Sequence, residues 1–365
     1  MKSHFVFLLS TMAALLLGAC AGAAPSGTPL GGQVMPSPAP PTAVLTAPAP
    51  QAIVRVMVPT PDNLQFMSFW VALGAGLFKE EGLDVQLVIP PAPQGAPQLL
   101  LQGKADVGVM PPPLYLNLIG QQQPVVVFAN LLANDQINLI VRKDVLDARK
   151  LSPAAPLAER LQGIKGLKVG IAPGPPTRLR ALFASVGMDV DRDIQMVVMP
   201  PEEENQAFGE GRVDALYAHT PFLERALVQQ NAVILVNQSR GEVPELAGRQ
   251  IHVLVAARSF AASKPEALAA LTKAIARAER LLHDDQKASV EAVLKAVPGL
   301  DRRLVETIVS IYEPAIPQTP AVSIEGIQVA NKLFPESQTP PDLSKVNLAD
   351  YIAPQFAQQA ISGTK

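Results

Sequence analysis

Gly103-Lys104-Ala105-Asp106-Val107, running on to Pro112-Pro113-Leu114, and Gly211-Arg212-Val213-Asp214-Ala215, running on to Thr220-Pro221-Phe222, are two copies of one pattern at one spacing. In each copy Gly ends a helix tail, because it alone enters left-handed geometry without strain. A basic residue and a small apolar one then lead into Asp and a short apolar strand. A Pro-containing turn, pre-set for the first helical turn, opens the next helix. The copies stand much further apart than solenoid repeats, whose period is about 20–50 residues. They imply two similar α/β lobes, each presenting a strand end and a helix N-terminus to a shared space, an arrangement suited to clamping a ligand.

The surrounding sequence extends this reading. Strand-like runs lie at 53–58, 84–89, 106–109, 125–129 and 137–142, with helical patterns at 66–81 and 112–122. After a connection at 151–166 the pattern restarts. Strands at 167–172, 195–199, 214–217 and 233–237 alternate with helices at 176–186, 202–211 and 221–230. Short apolar strands between amphipathic helices predict mostly parallel sheets covered on both faces. One more strand at 251–256 precedes helices at 265–283, 287–297, 302–312 and 323–334, with a weaker pattern at 348–361. The expected organisation is a first lobe from 53–135, a second from 136–252, and a return to the first over 253–365.

The N-terminus carries an independent message. Lys2, an apolar run over residues 5–17 and Leu17-Gly18-Ala19-Cys20 have the form of an export signal, too short for a spanning helix. Cys20 is the only cysteine, and Leu-Gly-Ala-Cys resembles the bacterial lipobox, in which that Cys is acylated. The other reading is an ordinary signal peptide cut nearby, for example after Ala24. Between Lys2 and Arg55 there is no charged residue, and residues 22–51 hold eight prolines. Such a segment has nothing to bury, so a signal over 1–20 and an unstructured tether over 21–52 are expected. The net charge of −2 argues against nucleic acid as a partner, which would call for a basic patch on the protein.

Ala75-Gly76-Leu77-Phe78-Lys79-Glu80-Glu81-Gly82-Leu83-Asp84-Val85 resembles the signature of periplasmic solute-binding proteins for nitrate, sulfonate, taurine and thiamine-precursor pyrimidines. Gly103-Lys104-Ala105-Asp106-Val107-Gly108 and Gly166-Leu167-Lys168-Val169-Gly170 resemble later signatures of the same family, in the expected order. The resemblance implies a two-lobed, type II periplasmic-binding-protein architecture. It also implies a monomer that delivers a small polar solute to an ABC permease, uses no cofactor or metal, and works on the periplasmic or cell-surface side of the membrane that holds its acylated Cys20. The family's binding loops fall on Thr60, Asn63, Gln65 and Phe66 after the first strand, and on Met110 and Pro112 after the third. Asn134 and Asp135 follow at the lobe crossing, then Gly174, Thr177 and Arg178 at a second-lobe helix start, and Tyr217 and His219 after the matching strand.

At that helix start the chain departs from the anion binders. Pro175 and Pro176 lack an N–H, which leaves Gly174, Thr177 and Arg178 as the main donors. Arg178 can hold a carboxylate in bidentate fashion; alternatively, Arg178 and Arg180 are solvated first-turn residues. Trp70 shares helical spacing with Phe66, Leu73 and Leu77 and reads as core, whereas Phe66 and Tyr217 are candidates to stack on a ligand. Asp106 and Asp214 are expected to orient their turns. Glu202-Glu203-Glu204 suits a solvated first helical turn, where the dipole favours carboxylates. An enzyme is not expected: His252 and His283 have no clustered carboxylate spacing, and no phosphate-binding glycine motif occurs. The enzymatic alternative is a pyrimidine-precursor synthase of the same fold, but such enzymes use a cysteine-rich iron site and this chain has only Cys20. A ligand sensor without transport is the other alternative.

Overall fold

A computed structural model of the chain describes residues 52–61, 63–335 and 338–362. The expected signal, the acylated Cys20 and all of the tether except Ala52 lie outside them. Ten strands form two five-stranded sheets. The first contains β1 (Ala52–Met57), β2 (Leu83–Val88), β3 (Val107–Met110) and β4 (Val125–Leu132). The second is built from β5 (Ile137–Arg142), β6 (Lys168–Ile171), β7 (Gln195–Val198), β8 (Ala215–His219) and β9 (Ala232–Val236). The chain then re-enters the first sheet as β10 (His252–Ala257).

The strand orders, β2-β1-β3-β10-β4 and β7-β6-β8-β5-β9, are one topology used twice. β1 pairs with β2 and β3 in parallel, as β6 does with β7 and β8. β10 and β5 are antiparallel to both neighbours. The sheets are therefore mixed, with one reversed strand in each. The reversed strands are the two that arrive from the opposite sheet. They are not tied to their neighbours by a helical crossover, the connection that makes strands parallel.

Both faces of each sheet are buried. Along β4 and β10 of the first sheet, Val126, Phe128, Leu254 and Ala256 point to one core, and Val125, Val127, Val253 and Val255 to the other. The helices Met67–Gly74, Pro265–Asp284, Gln286–Ala296 and Arg302–Tyr312 cover the former, and Ala96–Leu101, Pro112–Gly120 and Ile324–Lys332 the latter. In the second sheet, Leu179 and Phe183 of Pro176–Ala184 close one side, and Phe208 and Leu223 the other. Among the described residues no helix is long and apolar enough to cross a membrane.

The duplicated motif takes one conformation twice. Gly103 and Gly211 have φ of 67° and 71°. The Asp106 carboxylate accepts the backbone N–H of Arg55 on β1 (2.8 Å), and Asp214 accepts that of Lys168 on β6 (2.9 Å). Each Asp also donates its own N–H to the same residue's carbonyl, at 2.8 Å in both copies. These aspartates lock a turn to the neighbouring strand, as expected of them.

Two helical patterns break where the sequence suggested continuity. The 66–81 pattern divides into a short 3-10 turn, Met67–Gly74 and Leu77–Glu80, with Gly76 in left-handed geometry between the last two. A Cβ on Gly74 would stand 1.8 Å from the Ala292 carbonyl oxygen, so the first helix ends against the backbone of Gln286–Ala296. The 348–361 pattern divides into Leu348–Tyr351 and Pro354–Ser362, because Ala353 leaves the helix to donate to the Val127 carbonyl on the β4 edge (2.9 Å).

Candidate functional site

Two adjoining cavities, of about 500 and 280 Å³, open where the carboxyl ends of the two sheets meet. Ligands of open α/β sheets bind at that edge. The larger cavity is walled mainly by the first lobe: the loop after β1 (Thr60, Asn63, Gln65, Phe66), Pro111 and Pro113 after β3, and the amides of Gln98 and Asn117. The smaller one is shared between lobes. Pro112 and Ile251 face Ala172, Gly174, Pro175 and Arg178 across it. Gln65, His219 and His252 line both cavities and so mark their junction. β10 runs against its neighbours, so its first residue, His252, lies at the same edge as the ends of β3 and β4.

A buried ionic centre forms the floor of the smaller cavity. Asp135, 1% exposed, precedes β5 where the chain passes to the second sheet. Arg249, 2% exposed, stands just before the return. The Arg178 side chain, 15% exposed, reaches in from the first turn of Pro176–Ala184. Nη1 of Arg178 donates to both Asp135 oxygens, 3.2 Å from each, and Arg249 donates to Oδ2. Burial pushes the Asp135 carboxyl up, but Arg178 and Arg249 together outweigh it and hold it below the usual range. Two guanidinium cations thus share one carboxylate, leaving one net positive charge. The Nε atoms of both arginines are buried without a hydrogen-bond partner among the described residues.

Around this centre the loops are pinned by hydrogen bonds. The Trp70 indole donates to the Asn63 carbonyl (2.9 Å), so this core tryptophan also positions the loop after β1. Asn63 caps the following turn by accepting the Gln65 backbone N–H (2.9 Å). Phe66 meets the His252 ring edge-on, with centroids 4.8 Å apart. Tyr115 donates to the Gln250 carbonyl (2.6 Å), fixing the strand entry beside Arg249. Burial pushes the His252 pKa down to about 3 and lowers that of His219, and Arg178 depresses both further. Both imidazoles are neutral at physiological pH.

Nine of the residues singled out in the sequence line the cavities: Thr60, Asn63, Gln65 and Phe66 from the first loop, Pro112, Asp135, Gly174 and Arg178 around the ionic centre, and His219 at the junction. Four do not. Met110 is fully buried in the core, since it is the last residue of β3 and points away from the edge. Tyr217 is buried in the second-lobe core, its hydroxyl 3.0 Å from Oε1 of Gln238, so it cannot stack on a ligand. Asn134 staples the crossing, donating to the Ser239 carbonyl and accepting the Gly248 N–H. The Thr177 hydroxyl donates to the Phe334 carbonyl (3.1 Å), joining the second lobe to the C-terminal segment. Sequence reasoning missed Arg249 and His252. The signal for them was present: Arg249-Gln250 precedes the returning strand as Asp135-Gln136 precedes the departing one.

Residues 57–297 match the NMT1-like family. No curated protein sequence matches the chain. Among solved structures, the alkanesulfonate-binding protein SsuA of Xanthomonas axonopodis pv. citri, bound to MOPS, shares 19% identity over 84% of this chain and 99% of its own, with a TM-score of 0.56. The periplasmic aliphatic sulphonate binding protein SsuA of Escherichia coli shares 18% over 82% and 97%, with a TM-score of 0.58. The desulfurization enzyme DSZB shares 13% over 86% and 100%, with a TM-score of 0.56. At these identities the likeness concerns the fold: two lobes of the periplasmic-binding-protein type, an architecture that one enzyme also uses. By the match that spans most of its two lobes, the chain belongs to the NMT1-like family.

Proposed function

We propose that this protein is an exported solute-binding subunit that closes its two lobes on a small organic acid and delivers it to an ABC permease. The observation that carries the reading is the excess positive charge buried between the lobes, where Arg178 and Arg249 share Asp135. A buried cation without a full complement of partners is costly. An anionic group in the smaller cavity would complete it and would contact elements of both lobes at once. Ligand binding would then favour the closed arrangement by its differential affinity for it. The sulfonate ligands named for the Xanthomonas and Escherichia structures fit this charge. Pro175 and Pro176 remove backbone donors from the helix start, so the guanidinium groups rather than an N–H cradle would hold the acid.

The lining favours binding over turnover. Among the described residues that line the cavities, Thr60 is the one hydroxyl, and the one carboxylate, Asp135, is held by two arginines. The Leu17-Gly18-Ala19-Cys20 sequence supports anchoring through an acylated Cys20, with the uncharged segment behind it as a tether. The test is a thermal-shift panel of small carboxylates and sulfonates, each beside its neutral amide. Stabilisation by acids and not by their amides is expected. Equal shifts from both, or measurable conversion of a bound acid, would contradict the reading.

A further inference from the structure

The two cleft histidines have their protonation pattern set by neighbours whose own polarity is unambiguous. The Gln65 backbone N–H can only donate, so the Asn63 side-chain atom it meets at 2.9 Å is the amide oxygen. The Asn63 nitrogen is then a donor, and the Gln65 atom facing it at 3.4 Å is Oε1. His252 Nε2 contacts that same Oε1 at 3.3 Å, so Nε2 carries the proton and Nδ1 is a bare lone pair. Nδ1 is buried and finds no partner among the described residues, although the ring, 3% exposed, lines both cavities.

His219 reaches the same outcome from the opposite lobe. Its Nδ1 lies 2.8 Å from the Thr220 carbonyl oxygen, which can only accept, so the proton sits on Nδ1. Nε2 is therefore the acceptor, and it has no hydrogen-bond partner among the described residues. Both rings stay neutral at physiological pH, burial being the main cause, so the acceptor pattern persists there. Two unfilled acceptors from opposite lobes thus meet at the cavity junction, beside the cationic centre. A metal ion is the other common partner of imidazole nitrogen, but no three His, Cys, Asp or Glu among the described residues stand together to hold one.

We infer that the solute carries, besides its acid group, hydrogen-bond donors that His219 Nε2 and His252 Nδ1 accept, so that the lobes are joined through N–H or O–H groups as well as through the anion. This inference rests on the acid-binding reading of the cleft. A buried acceptor left unpaired is costly, so an analogue lacking the donor is rejected more strongly than its shape alone would suggest.

The test uses acids that differ only in a donor: 4-aminobenzoate against 4-methylbenzoate, and 4-aminobenzenesulfonate against 4-methylbenzenesulfonate, titrated calorimetrically into the intact soluble protein. The amino member of at least one pair should bind roughly tenfold or more tightly. The ratio should fall towards one in His252→Phe and in His219→Phe. It should be largely kept in His252→Asn and His219→Gln, whose amide oxygens can stand where Nδ1 and Nε2 stood. Equal affinity within both pairs, or a ratio that survives both Phe substitutions, overturns the inference while leaving the acid-binding reading intact. Binding that requires added Zn²⁺ and is abolished by a chelator overturns it in favour of a bridging metal. If none of the four acids binds, the acid-binding reading fails and takes this inference with it.

Discussion

Asp135→Asn keeps the shape of its side chain and removes its charge, and so isolates the ionic centre from the packing around it. In the wild type the carboxylate is 1% exposed and is bound by Arg249, equally buried, and by Arg178. The substitution leaves two buried guanidinium groups facing a neutral amide. Breaking a buried ion pair costs about 3–5 kcal/mol. Unfolding entropy of about 2.1 cal/mol/K per residue, over roughly 300 folded residues, converts this to a Tm lower by about 5–8 °C. Removal of the exposed Arg302, which pairs with Glu291 at the surface, should leave Tm essentially unmoved. The pH dependence follows from the sign of the shift. The arginines hold the Asp135 carboxyl below its ordinary value of 3.8, so its contribution is complete above 3.8 and is lost as pH falls through the lower folded value. Wild type and variant should therefore differ fully at pH 7 and converge only in strong acid. Calorimetric unfolding at both pH values is the assay, and a bound acid should raise the Tm of Asp135→Asn more than that of the wild type. A variant as stable as the wild type at pH 7 would show that the centre does not carry the buried charges described.

Further outcomes follow from other residues. Burial raises the carboxyl of Glu204 to about 8, that of Glu224 to about 7 and that of Glu279 well above its ordinary value, so the contribution of each is full below 4.5 and is lost as pH rises through its folded value; Glu204→Gln with Glu224→Gln should make a Tm profile taken from pH 5 to 9 shallower than that of the wild type, and an unchanged slope would count against these shifts. Gly74→Ala would drive a methyl group into the Ala292 carbonyl, where overpacking costs about 1–3 kcal/mol or more, and unchanged denaturant unfolding would disprove that close approach. Cys20→Ser should release the protein from membranes in a fractionation assay, and a wild-type protein already soluble with a mature N-terminus beyond Cys20 would show that no acyl anchor exists.

The duplicated turn made the lobes legible, because its parts have local causes: Gly103 and Gly211 need left-handed φ, and Asp106 and Asp214 serve the neighbouring strand. All ten apolar runs read as strands are strands. The reversed direction of β5 and β10 was not legible, since direction depends on which sheet the chain arrives from and no residue type encodes it. The same limit applied within the site. Asn63, Gln65 and His219 line the cavities as expected of strand ends and the loops that follow them. Met110 and Tyr217 were misplaced because alternation turns a strand's last residues to either face, and only packing decides which face meets the cleft. Arg249 escaped notice because its partner, Asp135, is remote in sequence and reaches it only through the double crossing, and His252 was set aside because its neighbours, Gln65 and Phe66, lie on another strand's loop.

Arg178 lines the smaller cavity, but its surroundings there differ from what the sequence suggested. As a lone cation at a helix start it reads as a free fork for a carboxylate. In the fold, part of that fork is already taken by Asp135, and the ligand would meet a shared charge. Arg178→Ala should therefore weaken acid binding and also lower apo stability, whereas Arg180→Ala, which removes an exposed pairing with Asp191, should do little to either.

The most direct test of an acid held between two lobes by a shared cationic centre is a crystal structure of the protein soaked or grown with the tightest-binding acid of the panel. The acid group is expected within hydrogen-bonding distance of Arg178 or Arg249, with residues of both lobes in contact with the same molecule. An acid group turned to solvent, or a ligand held by one lobe alone and away from Asp135, would contradict it.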